Sequence, residues 1–136
     1  MEEKLLEVRH LKKYFHTPAG LLHAVDDVDF SIPKGKTMGV VGESGCGKST
    51  MGRSVLRLLE PTSGQVLFEG KDYTALKSAD LRKSRTDLQI IFQDPYASLD
   101  PRMTIGDIIG EPLDIQLKLP AKERMQRVLK TMERVG

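Results

Sequence analysis

A chain of 136 residues, 39% hydrophobic and 29% charged, holds enough apolar material for one globular domain, and no apolar run approaches membrane-spanning length. A net charge of +2, with four Phe, three Tyr and no Trp, gives no electrostatic footprint for a nucleic-acid partner. The single cysteine excludes an internal disulfide and a cysteine-built metal cluster, and the start Met1-Glu2-Glu3-Lys4 lacks the basic and apolar regions of a signal peptide, so a cytoplasmic setting is expected.

Residues 5–10 set Leu6, Val8 and His10 against Leu5, Glu7 and Arg9, which predicts a strand with one buried face. Lys12-Lys13-Tyr14-Phe15 comes next. Pro18 and Gly20 punctuate a turn, and residues 21–32 resume a strand pattern through Val25, Val28, Phe30 and Ile32. Pro33-Lys34-Gly35-Lys36 is the next turn, so the first third reads as an antiparallel sheet. Thr37-Met38-Gly39-Val40-Val41 predicts a short buried parallel strand, and residues 51–59 show helical spacing at Met51, Val55, Leu58 and Leu59.

Between these two lies Gly42-Glu43-Ser44-Gly45-Cys46-Gly47-Lys48-Ser49-Thr50, which matches the phosphate-binding pattern of glycine, four residues, glycine, lysine and serine or threonine. Gly42, Gly45 and Gly47 let successive backbone amides turn inward around an anion. The helix that starts near Lys48 aims its free N–H groups and positive dipole end at the same point. Lys48 supplies a point charge for the β and γ phosphates, Ser49 a hydroxyl for a magnesium ion, and Thr50 a contact near the α-phosphate. The stretch therefore predicts a nucleoside triphosphate site that includes Ser44 and Cys46. No histidine is placed to activate Cys46 as a nucleophile, so it reads as a tolerated loop residue whose alkylation would block nucleotide binding. His10, His16 and His23 all precede the loop and read as surface or strand residues.

Glu60-Pro61-Thr62-Ser63-Gly64 stops the helix, and residues 65–69 form a further short strand ending at Gly70. Residues 71–87 are polar and basic, with Leu76 and Leu81 as anchors, and predict a short helix plus loop in which the charged group 77–87 is a solvated face. Leu88-Gln89-Ile90-Ile91-Phe92 predicts a buried strand that Pro95 and Pro101 keep from continuing, giving a loop of the kind on which sites tend to sit. Thr104 caps a helix over 105–113. Residues 120–136 place Met125, Val128, Leu129, Met132 and Val135 on one helical face that needs a partner, and the finish at Gly136 reads as a helix C-cap at which a longer domain is cut.

Phe15 within Lys-Lys-Tyr-Phe, the loop 42–50, the segment 60–64 and Ile91-Phe92-Gln93-Asp94-Pro95 together resemble the N-terminal half of an ABC transporter ATPase domain, over the whole of residues 1–136. The resemblance implies an α/β P-loop NTPase fold with an antiparallel β subdomain and an incomplete core sheet with helices. More narrowly, residues 93–103 resemble the ATPase subunits of bacterial oligopeptide and dipeptide permeases, whose relatives import nickel or other small solutes. The implied ligands are ATP and magnesium. Phe15, or Tyr14 one position away, would stack on the adenine. Gln93 would be the Q-loop glutamine, reaching the magnesium ion or the attacking water through its side-chain carbonyl. The loop from Asp94 to Met103 would contact the coupling helix of a transmembrane permease subunit, a second ATPase subunit would complete the pair, and the protein would sit peripherally on the cytoplasmic face of the membrane.

The family also carries a signature beginning Leu-Ser-Gly-Gly-Gln, a strand ending in Asp-Glu and a switch histidine, and none of these is present in the sequence. The expectation is a chain that binds nucleotide and hydrolyses it slowly or not at all alone. The missing core strands are expected to leave apolar edges open. A second reading is another P-loop NTPase, such as a small kinase or switch GTPase, with residues 88–92 as the metal-binding strand and Asp94 as its carboxylate. Against it, Gln93 intervenes, Pro95 comes directly after, and there is no Asn-Lys-x-Asp motif. A third is a non-enzymatic module that binds nucleotide or a membrane subunit.

Overall fold

Two 14-residue strands, β1 (Lys4–Thr17) and β2 (Gly20–Pro33), form a long antiparallel hairpin across Pro18 and Ala19. The computed structural model describes residues 2–136 and divides into two units, one running to Arg82 and one over Lys83–Gly136. In the first unit β1 also pairs antiparallel with β3 (Ser63–Phe68). β3 returns through Glu69 and Gly70, left-handed at φ 48 and φ 77, into β4 (Lys71–Asp72), completing a sheet of order β2-β1-β3-β4. Two consecutive left-handed residues match the twist of a two-residue hairpin loop, so the chain reverses at Gly70, where the residue pattern marks only a strand end.

Strict alternation would bury His10 beside Leu6 and Val8. Instead His10 adopts φ 49, and the pairing of β1 with both neighbours shifts at this point. The extra residue of the bulge turns Leu11 to the buried face, where it is 0% exposed, and leaves His10 in solvent. Leu6, Val8, Leu11, Val25 and Val66 then form the core beneath α1 (Lys48–Val55), which packs on β1 and β2 through Ser54 and Val55.

This helix is shorter than the apolar spacing predicts. Arg57 sits at φ 54, ending the helical path, and its guanidinium donates to the carbonyls of Tyr73 and Leu76 at 3.2 and 2.8 Å. Tyr73, on the 3-10 turn Tyr73–Ala75, is buried at 2% exposure and donates its hydroxyl to the Leu56 carbonyl at 3.3 Å. The anchor of the basic segment is therefore this tyrosine. The helix expected there is α2 (Ser78–Ser84).

Two predicted strands do not form. Residues 37–41 and 88–92 join no sheet, and Val41 and Ile91 are 93% and 98% exposed. Apolar character can predict a buried strand, but a strand exists only where a second one meets its N–H and C=O groups, and among the described residues none pairs with either run.

The second unit holds α3 (Ile105–Pro112), a π turn (Leu113–Leu117) and α4 (Ala121–Val135). Thr104 caps α3 as predicted: its hydroxyl oxygen accepts the Asp107 N–H at 3.2 Å. α3 packs on α4. Val128 is buried, while Met125, Leu129 and Val135 of the same apolar face stay exposed. Arg124 Nε donates to the Asp114 carboxylate at 2.7 Å, and the guanidinium lies against Gly110, where a Cβ would collide with it. No helix among the described residues is long and apolar enough to cross a membrane.

Candidate nucleotide-binding site

The first intrahelical bond at the start of α1 runs from Met51 N–H to the Gly47 carbonyl at 2.8 Å, so the N–H groups of Lys48, Ser49 and Thr50 have no partner within the helix. They lie at its positive dipole end, and no acidic side chain occupies the first turn to neutralise them. Lys48 curls back over the loop and donates from Nζ to the carbonyls of Gly42 and Glu43, each at 2.7 Å, with Cys46 Sγ at 3.4 Å. The ammonium and three helix amides thus sit on one nine-residue loop. Ser49 lies on the first turn, with its hydroxyl in reach of solvent. Ser44 and Gly45 form the turn of the loop.

Two glycines of the loop sit where a Cβ would collide with a neighbouring atom. A Cβ at Gly42 would come within 2.6 Å of Cys46 Sγ and 3.8 Å of Lys48 Nζ. Gly47, at φ 98, packs directly on the Ala24 carbonyl of β2, which leaves no space for any other residue type. That contact seats the loop on the hairpin.

The same hairpin carries the aromatic candidates. Phe15 pairs with Leu22, two residues from Ala24 and so about 7 Å along the strand. Tyr14 pairs with His23, and the two rings stack with centroids 3.9 Å apart and planes 11° apart. The Tyr14 hydroxyl donates to the Asp26 carboxylate, which raises the phenol pKa to about 12 and lowers that of Asp26. Tyr14 is therefore already engaged within the hairpin by a ring and a carboxylate. Phe15 is half-buried, and its ring meets the ammonium of Lys13, whose Nζ lies 5.0 Å from the ring centroid. The chain-internal partners separate the two aromatics that the sequence leaves equivalent.

Gln93 belongs to the second unit, where it is exposed at the head of the loop. Two aspartates order the loop beyond it. Asp94 Oδ1 accepts the N–H groups of Tyr96 and Ala97 at 3.0 and 3.1 Å, and its carbonyl accepts the Ser98 hydroxyl. Asp100 accepts the Arg102 N–H at 2.9 Å and binds the Arg102 side chain through both carboxylate oxygens at 3.1 and 3.0 Å, which lowers its pKa. Each Asp-Pro pair thereby closes its own turn. The loop presents Tyr96, at 91% exposure, and Leu99 to solvent. Asp94 is thus a turn-forming residue, which weakens its reading as a metal carboxylate.

Lys13, Ala24 and Asp26 carry no motif in the sequence, and His23 reads there only as a surface or strand residue. Lys13 stands two residues before Phe15, the spacing that brings side chains to one face of a strand, and this signal was available. Ala24 acts through its carbonyl, which no residue pattern marks.

Residues 25–136 match the family described as ABC transporter. The chain is 58% identical over its whole length to the oligopeptide transport ATP-binding protein OppF of Bacillus subtilis, of which it covers 45%. It is 48% identical to the oligopeptide transport ATP-binding protein AppF of the same organism over 99% of its length, covering 44% of that protein. It therefore spans less than half the length of these curated relatives. Among solved structures, it superposes on the ATP-binding cassette MJ0796, a dimer bound to ADP and Pi, with a TM-score of 0.79 at 26% identity, covering 94% of this chain and 56% of that one. A cbiO1 structure from Clostridium perfringens, part of an ABC transporter complex, gives 0.72 at 28% identity, covering 98% of this chain and 51% of that one.

Proposed function

The chain belongs to the ABC transporter family, and from that premise we propose that residues 1–136 are the ATP-binding part of an importer ATPase for oligopeptides or dipeptides, or for a related small solute such as nickel. The observation that supports this reading is the Gly47–Ala24 contact, which seats the loop 42–50 on the hairpin that bears Phe15. On this reading Phe15 stacks on the adenine, and the amides from Gly45 to Thr50 surround the phosphates. Lys48 exchanges its bonds to the Gly42 and Glu43 carbonyls for β and γ phosphate oxygens. Ser49 is the loop residue that would hold magnesium, which when bound neutralises phosphate charge.

The loop after Gln93 is the proposed contact for a transmembrane permease subunit. Its support is the pair of self-closed aspartate turns that hold Tyr96 and Leu99 out in solvent, since a firm loop with exposed apolar side chains loses little entropy on docking. A second ATPase subunit and a peripheral place on the cytoplasmic membrane face belong to the same proposal. On this reading the chain alone hydrolyses ATP slowly or not at all.

Titration calorimetry of the 136-residue chain with ATP and magnesium tests the reading. Lys48→Ala weakens ATP binding by about tenfold or more, the scale of one lost charge-assisted pair, while Asp94→Asn leaves it unchanged. Equal affinity in the Lys48 variant overturns the nucleotide assignment. Loss of magnesium-dependent binding in the Asp94 variant favours the kinase-type alternative instead.

A further inference from the structure

We propose that Lys13 is a positioning residue for the nucleotide base: its ammonium holds one face of the Phe15 ring and makes the opposite face the stacking surface. The inference rests on the reading of Phe15 as the adenine contact and adds a second residue to that site.

The geometry holds the ammonium from two sides. Lys13 Nζ lies 5.0 Å from the Phe15 centroid, within cation–π range, and donates to the Glu60 carbonyl at 2.8 Å. The backbone on either side of Lys13 is fastened to the same segment. The Lys12 carbonyl accepts the Thr62 N–H at 2.8 Å, and the Tyr14 N–H donates to Thr62 Oγ1 at 2.9 Å. Lys13 is therefore a strut between the aromatic strand and the segment beyond α1, and its charge is delivered to one ring face.

That charge has two effects. A covered face leaves the ring a single side on which a base can lie, which fixes the register of the base relative to the loop. A cation on one face also draws electron density through the ring, which reduces π-cloud repulsion with an electron-rich purine on the other. A ligand without a base senses neither effect.

The test compares binding of ATP and of inorganic tripolyphosphate, both with magnesium, to the 136-residue chain and its variants by calorimetry. Lys13→Gln removes the charge but keeps a donor for Glu60. Lys13→Met removes both, and Lys13→Arg keeps both. Phe15→Ala removes the ring. Melting curves establish that each variant folds. The expected result is a two- to fivefold loss of ATP affinity, about the range of an exposed cation–π pair, in Lys13→Gln and Lys13→Met, with tripolyphosphate unchanged and Lys13→Arg close to wild type. The loss disappears when Lys13→Gln is made in the Phe15→Ala background. An equal loss for ATP and tripolyphosphate, no loss for ATP, or a loss that persists without the ring overturns the proposal. If Phe15→Ala leaves the preference for ATP over tripolyphosphate intact, the Phe15 reading itself fails. If it abolishes that preference while Lys13→Gln does not alter it, only the Lys13 inference fails.

Discussion

The imidazole of His23 lies flat on the phenol ring of Tyr14, 3.9 Å between centroids, while the Tyr14 hydroxyl reaches past it to the carboxylate of Asp26. This arrangement locks the β1–β2 hairpin by side chains as well as by its ladder, and it makes hairpin stability depend on pH. The phenol pKa rises from 10.0 to about 12 in the fold, chiefly through the bond to Asp26. A raised pKa means that the contribution is fully present below pH 10 and is lost as pH rises toward 12. Tyr14→Phe is expected to remove that part of the alkaline loss, seen as a smaller drop in melting temperature between these two pH values than in the wild type. Asp26, whose pKa is lowered, gives the matching loss in acid, as pH falls through its depressed value.

Gly47→Ala tests the seat of the loop. A Cβ there meets the Ala24 carbonyl, a backbone atom that cannot swing away, and φ 98 is strained for alanine. The expected cost is about 1–3 kcal/mol of stability, with loss of measurable ATP binding, read by thermal unfolding and calorimetry on the same sample. Gly45→Ala makes the control, since a Cβ there meets nothing within 4 Å and only φ 78 is strained.

Cys46 is exposed, with Sγ beside the Lys48 ammonium and the backbone of Gly42. A thiol-reactive probe attached there fills the inner side of the loop and should abolish ATP binding, while bound ATP should slow the labelling. The measurement is the rate of Cys46 modification by mass spectrometry with and without ATP and magnesium; equal rates would place the thiol outside the nucleotide path.

In the second unit, Gly110→Ala should displace the Arg124 guanidinium and break its bond to Asp114. The expected outcome is a lower melting temperature for α3 and α4 with ATP affinity unaffected, tracked by helical circular dichroism. Arg124→Met in the Gly110→Ala background should add little, because the two changes remove the same contact.

The glycine-lysine loop leading into α1 was legible from residue order because its geometry is local. Glycines, lysine and hydroxyl act through neighbouring backbone amides within nine residues, and the structure holds Lys48 across the same nine. Thr104 as a helix cap and the turn between Pro18 and Gly20 were legible for the same reason. The bulge at His10 was not, since alternation carries no mark of an inserted residue until a neighbouring strand sets the register.

What the sequence determined by itself, then, is the family and the glycine-lysine loop 42–50 that marks it, because both depend on residues adjacent along the chain. Only the tertiary structure separated the two adjacent aromatics by their partners. Tyr14 and Phe15 are alike in propensity, and their difference comes from what lies across the sheet and beyond it: His23 and Asp26 engage Tyr14, and Lys13, anchored by Glu60, covers one face of Phe15. The apolar runs at 37–41 and 88–92 obey the same logic in reverse. Composition made them strand-like, but hydrogen-bonded pairing is a property of two segments, and among the described residues neither run has its second.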